Sequence, residues 1–303
     1  MSQKLQLGAL FPQNEIGTDP IGIRDFAQAV EQMGFAHILT YDHVLGANTD
    51  RPDRARGFAY THKDTFHEPF VLFGYFAAAT QRIGLVTGVI ILPQRQTVLV
   101  AKQAAAVDVL SGGRLRLGVG IGWNAVEYEG LGENFQNRSS RVVEQIRLMR
   151  ALWTKPLVTF KGKYHSVPDA GLNPLPVQRP IPVWMGAAQA AQMDEQKLDR
   201  VLRRMGRVSD GWILTGRPTE EAGRRYARVL EHAKAAGRAP SAVGFQGAVG
   251  YADGNPDTWR HTLDGWRKIG ATHVTIQSRG AGFTNPTQHI EALRKMWDVL
   301  GKG

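Results

Sequence analysis

The 303-residue sequence predicts an α/β fold: one (β/α)8 TIM barrel with a long loop after strand two and an extended insertion before strand five. Three observations carry this reading. Strand-like and helix-like segments alternate along the chain, and strict alternation argues a parallel sheet. Eight such units occur, which suits a barrel whose usual size is about 250 residues plus insertions. The doubly wound alternative lacks its markers. Gly8 stands alone near the first strand, Gly118-x-Gly120-x-Gly122 has Trp123 where a third fingerprint glycine would fall, and no Gly-Lys-Ser/Thr phosphate loop occurs. No low-complexity tract or linker interrupts the alternation, so residues 1–303 read as one domain.

Each element has a local reason. Leu5–Pro12 reads as the first strand, and Asp19 caps a helix through Gln32 that Gly34 closes. His37–Asp42 is strand two. The polar stretch from Val44 to about Phe66 is a loop long enough to be functional or mobile. Glu68–Gln81 is helical. Ile83–Leu92 is a β-branched apolar run of the kind buried on both faces, and Val98, Ala101, Ala105 and Val109 recur at helical spacing until Ser111-Gly112-Gly113. Arg114–Gly122 is strand four, ending in glycines that let another molecule approach the backbone closely. Arg138–Trp153 is an amphipathic helix. Leu157–Val167 reads as a hairpin around Lys161-Gly162-Lys163, and Pro168–Pro182, with five prolines, as an extended connection. Strand five (Pro182–Ala187) precedes helix Gln189–Met205. Strand six is Asp210–Thr215, and Thr219-Glu220-Glu221 opens the helix to Ala236. Val243–Tyr251, Pro256–Ile269, His273–Ser278 and Pro286–Leu300 complete the last two units.

Composition excludes several classes. Apolar content of 43% and charged content of 21% are ordinary for a soluble globular protein. No apolar run approaches about 18 residues and the N-terminus lacks a leader pattern, so neither a membrane span nor a signal peptide is expected. The absence of cysteine excludes disulfides and thiolate chemistry and fits a cytoplasmic location. Lys+Arg of 37 against Asp+Glu of 27, net +10, favours an anionic ligand or simply a basic surface. The arginine clusters at 200–207 and 224–228 lie on amphipathic helices and belong to no nucleic-acid motif, so no nucleic-acid partner is expected.

In a barrel the strand C-termini share one mouth. They deliver Phe11, Asp42-His43, Thr87-Gly88-Val89, Gly120-x-Gly122-Trp123-Asn124, Gly186-Ala187-Ala188, Thr215-Gly216 and Gln277-Ser278. The set lacks the paired acids of a glycosidase. His62, Asp64, His67 and Glu68 fall at no established metal spacing, so no metal is expected. Glycines, amides, aromatics and one histidine suit a flat cofactor that carries redox chemistry itself.

Four pieces carry a family resemblance: Tyr41-Asp42-His43; Thr87-Gly88-Val89 with Leu92-Pro93-x-Arg95; Ala101-Lys102-Gln103 through Leu110–Arg114; and Gly118–Trp123 with Glu127 and Gly130-Leu131-Gly132. Together they resemble the bacterial luciferase-like superfamily of flavin-dependent monooxygenases and coenzyme F420-dependent oxidoreductases. The resemblance implies reduced FMN or F420 at the barrel mouth, a small-molecule substrate, a homodimer and, with FMN, a separate flavin reductase. Two reactions compete, oxygen insertion with reduced FMN and hydride transfer with F420. A non-catalytic flavin-binding protein of the same fold is the alternative.

Carried over by position, Asp42 and His43 match a pair near the reactive ring, with His43 as acid/base or donor. Their plain reading is a helix cap and a loop residue. Thr87, Gly88 and Val89 match the place where relatives carry a non-proline cis peptide forming a bulge behind the ring. Gly120, Gly122, Trp123, Asn124 and Tyr128 match the segment along the cofactor's side chain. Gly186-Ala187-Ala188 precedes a helix whose amides would meet a phosphate, although Met185 and Ala188 depart from the Gly-Gly or Gly-Ser/Thr of relatives. F420-dependent sugar dehydrogenases place a glutamate where Trp123 stands; the nearest acid here is Glu127, so sugar-phosphate oxidation is not expected. The loop Val44–Phe66, rich in charge, is expected to order over bound ligand and to resist cleavage after Arg51, Arg54 or Arg56 once it does.

Overall fold

The computed structural model describes residues 5–50, 59–187 and 193–301. Its centre is a closed parallel barrel. The strands are β1 (Gln6–Leu10), β2 (His37–Thr40), β3 (Gly84–Thr87) continued by β4 (Ile90–Ile91), β5 (Leu115–Gly120), β8 (Val183–Gly186), β9 (Gly211–Ile213), β10 (Gly244–Gly250) and β11 (His273–Gln277). Each pairs with its neighbour in that order, β3 reaches β5, and β11 returns to β1 with Gln6 opposite His273. The β6 (Val158–Lys161) and β7 (Ser166–Ala170) hairpin stands outside the barrel. The eight expected strand–helix units are therefore present.

The ring of helices is α1 (Pro20–Met33), α2 (Pro69–Ala79), α3 (Thr97–Leu110), α4 (Ala125–Gly130), α5 (Arg138–Thr154), α6 (Glu195–Val208), α7 (Glu220–Ala235), α8 (Pro256–Lys268) and α9 (Pro286–Leu300). The expected caps hold. Asp19 accepts from the Ile21 and Gly22 amides, Thr219 from Ala222, and Gly34 closes α1 at φ 95°.

Four details differ from the sequence reading. The run Ile83–Leu92 is two strands, β3 and β4, and the break between them falls at the Gly88–Val89 cis peptide that the family resemblance implied. A short helix, α4, follows Trp123, capped by the Asn124 side chain on the Val126 amide. β7 runs through Pro168, tolerable because a two-stranded ribbon leaves an unpaired edge. The helix after strand five begins at Glu195, where the Asp194 carboxylate takes the Lys197 amide. Gly186-Ala187 is therefore not its N-terminus; Ala188 and the rest of 188–192 lie outside the described residues.

Outward strand residues such as Ile38, Leu117 and Val274 join the helices in one large core. Inside, the N-terminal half of the barrel is polar and aromatic. Arg116 lies 4.3 Å from the Trp184 ring centroid and donates to Gln246 (2.6 Å); Gln246 donates to Thr275 (2.8 Å), whose hydroxyl meets His37 Nε2 at 3.3 Å. A Cβ on Gly8 or Gly211 would collide with the rings of His37 and Trp184, so those glycines make room for this layer. Burial lowers Arg116 to about 9 and His273 to about 3, and drives His37 well below its usual range.

These two histidines make the fold acid-sensitive. Between roughly pH 6.5 and the folded-state values the unfolded chain binds protons that the native state refuses, so stability falls as pH falls. We expect the thermal midpoint to drop from pH 7 to pH 5, and a His37→Gln/His273→Gln double variant to show a flatter profile. An unchanged slope in that variant would remove these groups as the cause.

Candidate active site

A cavity of about 440 Å³ opens at the C-terminal ends of the strands, within the ordinary range for small-molecule sites. Of the candidate residues, Asp42, His43, Gly88, Val89, Gly120, Gly122, Trp123, Gly186 and Ala187 line it. Thr87, Asn124 and Tyr128 do not. Thr87 donates to the Gly118 carbonyl inside the barrel, Asn124 caps α4 and donates to the Leu45 carbonyl, and Tyr128 is buried and donates to the Ile121 carbonyl.

The floor is Val89. A Cβ on Gly120 would sit 2.6 Å from one Val89 methyl and a Cβ on Gly186 2.8 Å from the other. The glycines at these strand ends therefore admit Val89, not a ligand directly, and the ligand would meet the Val89 face they seat. A Gly122 Cβ would likewise strike Ile91, and its φ of 64° suits glycine.

Asp42 is the bracket of this floor. Its carboxylate is buried, accepts from the Ile91 amide (2.9 Å) and pairs with Arg95 (2.7 Å), whose other nitrogen meets Glu68 (2.9 Å). It ties the end of β2 to β4 just beyond the cis peptide and offers no free charge to the cavity.

His43 follows at once. Its Nδ1 lies 3.2 Å from Glu127 Oε1, and the same oxygen accepts from the Val44 (2.7 Å) and Leu45 (3.3 Å) amides. Glu127 is 1% exposed. A carboxylate with three donors accepts only, so Nδ1 carries the proton and Nε2 is the nitrogen available for exchange. Tyr60, Phe66 and Trp123 surround the imidazole with ring centroids at 5.0, 4.8 and 5.7 Å. Sequence reading placed Glu127 in the right stretch but gave it no role; its partner is 84 positions away.

The walls also hold Tyr41 and Met185, which the sequence reading named without a role, and residues it did not connect with the mouth: Tyr60, Ile91, Met193, Met205, Ile213 and three arginines, Arg138, Arg204 and Arg279. Arg138, at the start of α5, lies 3.6 Å from the Phe135 ring centroid and leaves a buried Nε without a partner among the described residues. Arg204, on α6, has no ion-pair partner among the described residues, and burial lowers its guanidinium. Arg279, just past β11, donates to the Tyr60 hydroxyl (2.5 Å) and lies 5.3 Å from the Tyr41 ring centroid. Burial pushes the Tyr41 phenol up to about 12, against the opposing pull of Arg279. Of the long loop, residues 51–58 lie outside the described residues, while Tyr60, Thr65 and His67 are fixed to Arg279, Asn14 and Gln13. No helix among the described residues is long and apolar enough to cross a membrane.

Comparisons with known proteins give the family and the fold. An uncharacterized protein of Mycobacterium tuberculosis is 34% identical over 278 residues, covering 89% of both chains. An F420-dependent glucose-6-phosphate dehydrogenase of Gordonia bronchialis is 33% identical, covering 71% of this chain and 58% of its own. An FMNH(2)-dependent dimethylsulfone monooxygenase of Pseudomonas putida is 28% identical over 65% of this chain and 49% of its own. The crystal structure of monooxygenase RslO1 from Streptomyces bottropensis shares the fold at a TM-score of 0.79 and 18% identity, covering 98% of this chain and 99% of that one. The family model for luciferase-like monooxygenase matches residues 8–300, and the chain belongs to that family.

Proposed function

We propose that this protein is an oxidoreductase that holds reduced FMN or coenzyme F420 in the mouth cavity and acts on a small organic molecule. The observation that carries the reading is the seat: an apolar floor, Val89, fixed behind a cis peptide by Asp42, Gly120 and Gly186, with a histidine oriented by a buried carboxylate beside it.

The residues present fit such a cofactor. Gly88-Val89, Ile91 and Ile213 offer a flat apolar surface for a ring, and Trp123 stands at its edge. Arg138, with its orphaned Nε, and Arg204 are two cations suited to a phosphate. When bound, the cofactor supplies the redox equivalents. The chain's own work is to exclude water with the Tyr60–Phe66–Trp123 cluster and to hold His43 so that Nε2 takes or gives one proton. The oriented histidine favours catalysis over mere flavin binding. With FMN a separate reductase supplies the reduced form; the reaction runs in the cytoplasm.

Titrating FMN and F420 separately, followed by ring fluorescence, tests the reading. One of them binds at micromolar concentration, and NAD(P)H alone does not bind tightly, since no dinucleotide fingerprint is present. Tight NAD(P)H binding with neither flavin nor deazaflavin bound would overturn it.

We also infer a homodimer through the outer faces of α2 and α3, where Val71 (73% exposed), Leu99 (51%) and Leu110 (68%) stand in solvent. Light scattering should give two chains per particle and a V71E/L99E variant one. Monomeric wild-type protein at tens of micromolar would contradict this.

A further inference from the structure

The charges that line the cavity form two groups on opposite walls. Going round the barrel, Arg138 and Arg204 follow β5 and β8, whereas Arg279 follows β11, which neighbours β1 and then β2 with Tyr41. Between them the lining is largely apolar. The one carboxylate in it, Asp42, is already committed to Arg95 and the Ile91 amide. Among the described residues no carboxylate forms an ion pair with Arg279; its recorded partners are the phenols of Tyr60 and Tyr41. Its one carboxylate neighbour, Glu15, favours the guanidinium's charge without an ion pair and is held on the Gly280 amide, so direct pairing on the cavity side is left to a ligand.

Resting on the cofactor reading above, we propose that Arg279, framed by Tyr41 and Tyr60, is the recognition site for the carboxylate of an organic acid substrate. Charge count separates it from the cofactor's phosphate. Two guanidiniums on the Arg138/Arg204 wall match a phosphate, and one guanidinium matches a monoanion. The donors match as well. Tyr60 accepts from Arg279 and so directs its own proton elsewhere, and Tyr41, like any phenol, is neutral at pH 7, a form that burial favours further. One planar guanidinium, with the Tyr60 phenol beside it, can take both oxygens of a carboxylate at once.

The site is also rigid, which recognition requires. Ser278, before Arg279, is fully buried and bonds His289 Nδ1 (2.9 Å). Gly280, after it, donates to Glu15 (3.0 Å). Gln13 donates to the Tyr41 carbonyl (2.9 Å) and accepts from the His67 amide (3.1 Å). The guanidinium is thus presented by a clamped turn, and both phenols stand on anchored chain.

The test measures binding, not turnover. Calorimetry on the full chain, with and without FMN or F420, would compare hexanoate, benzoate and phenylacetate with their neutral amides. At least one acid should bind ten-fold or more tighter than its amide. R279Q should lose that preference while its cofactor affinity stays within about three-fold. R204Q should do the reverse, weakening FMN or F420 and leaving the acid preference intact. Y60F, which keeps the charge, should weaken the acid three- to ten-fold and answers the question if R279Q does not fold. Equal affinity of every acid and its amide, an unchanged preference in both R279Q and Y60F, or loss of cofactor but not acid in R279Q would each overturn the proposal. Failure of FMN and F420 to bind wild type, with the acid preference present, would overturn the cofactor reading instead.

Discussion

Replacing His43 by alanine should lower substrate-dependent turnover by about 10²- to 10⁴-fold, the usual contribution of a positioned acid/base, while cofactor affinity changes little. The reason is the arrangement about the ring. Glu127, buried and holding the Val44 and Leu45 amides, fixes the Nδ1 proton and leaves Nε2 as the exchanging nitrogen. Glu127→Gln provides the control. A glutamine oxygen still accepts hydrogen bonds but carries no charge, so the imidazole loses the carboxylate's hold on its orientation and its support when protonated. Turnover should fall about ten-fold, with the acidic limb of the pH–rate profile displaced. Steady-state rates across pH check both. A His43→Ala rate equal to wild type would reduce His43 to a loop residue packed among Tyr60, Phe66 and Trp123.

The second large effect concerns stability. Asp42→Ala removes a buried carboxylate and leaves Arg95, with its side chain 12% exposed, beside an unsatisfied Ile91 amide. Breaking a buried pair from one side costs about 3–5 kcal/mol; the residual exposure of Arg95 and its second partner Glu68 place this case near the lower figure. Urea unfolding measures it. Because Asp42 ties down the strand beyond Val89, cofactor binding should weaken as well. A loss below about 1 kcal/mol with cofactor affinity intact would show that the floor is held by packing alone.

The fold was legible because its signals are local. Asp19 and Thr219 cap helices within three residues of themselves, and Gly34 ends one at positive φ. The alternation of these elements gives the barrel. The site was legible only where it is written in contiguous motifs, as at Gly88-Val89 and Gly118–Trp123. Its remaining parts are pairings across the barrel. Glu127 meets His43 over 84 positions and Arg279 meets Tyr60 over 219; no periodicity announces either. Periodicity read Ile83–Leu92 as one strand, because a β-branched run looks the same whether or not a peptide within it turns; the bulge at Gly88-Val89 was legible only through the family resemblance. The glycines of β5 suggested a ligand's close approach, whereas the side chain that approaches is Val89. Asn124 and Tyr128 lie within the right stretch, yet local capping and a buried hydroxyl bond turn them away from the cavity.

A crystal structure of the protein grown with whichever of FMN or F420 the titration selects tests the central claim most directly. The account predicts the ring against Val89, within reach of His43, and the phosphate between Arg138 and Arg204, leaving Arg279 open to substrate. A ring seated away from Val89, or a phosphate held by Arg279, would contradict it.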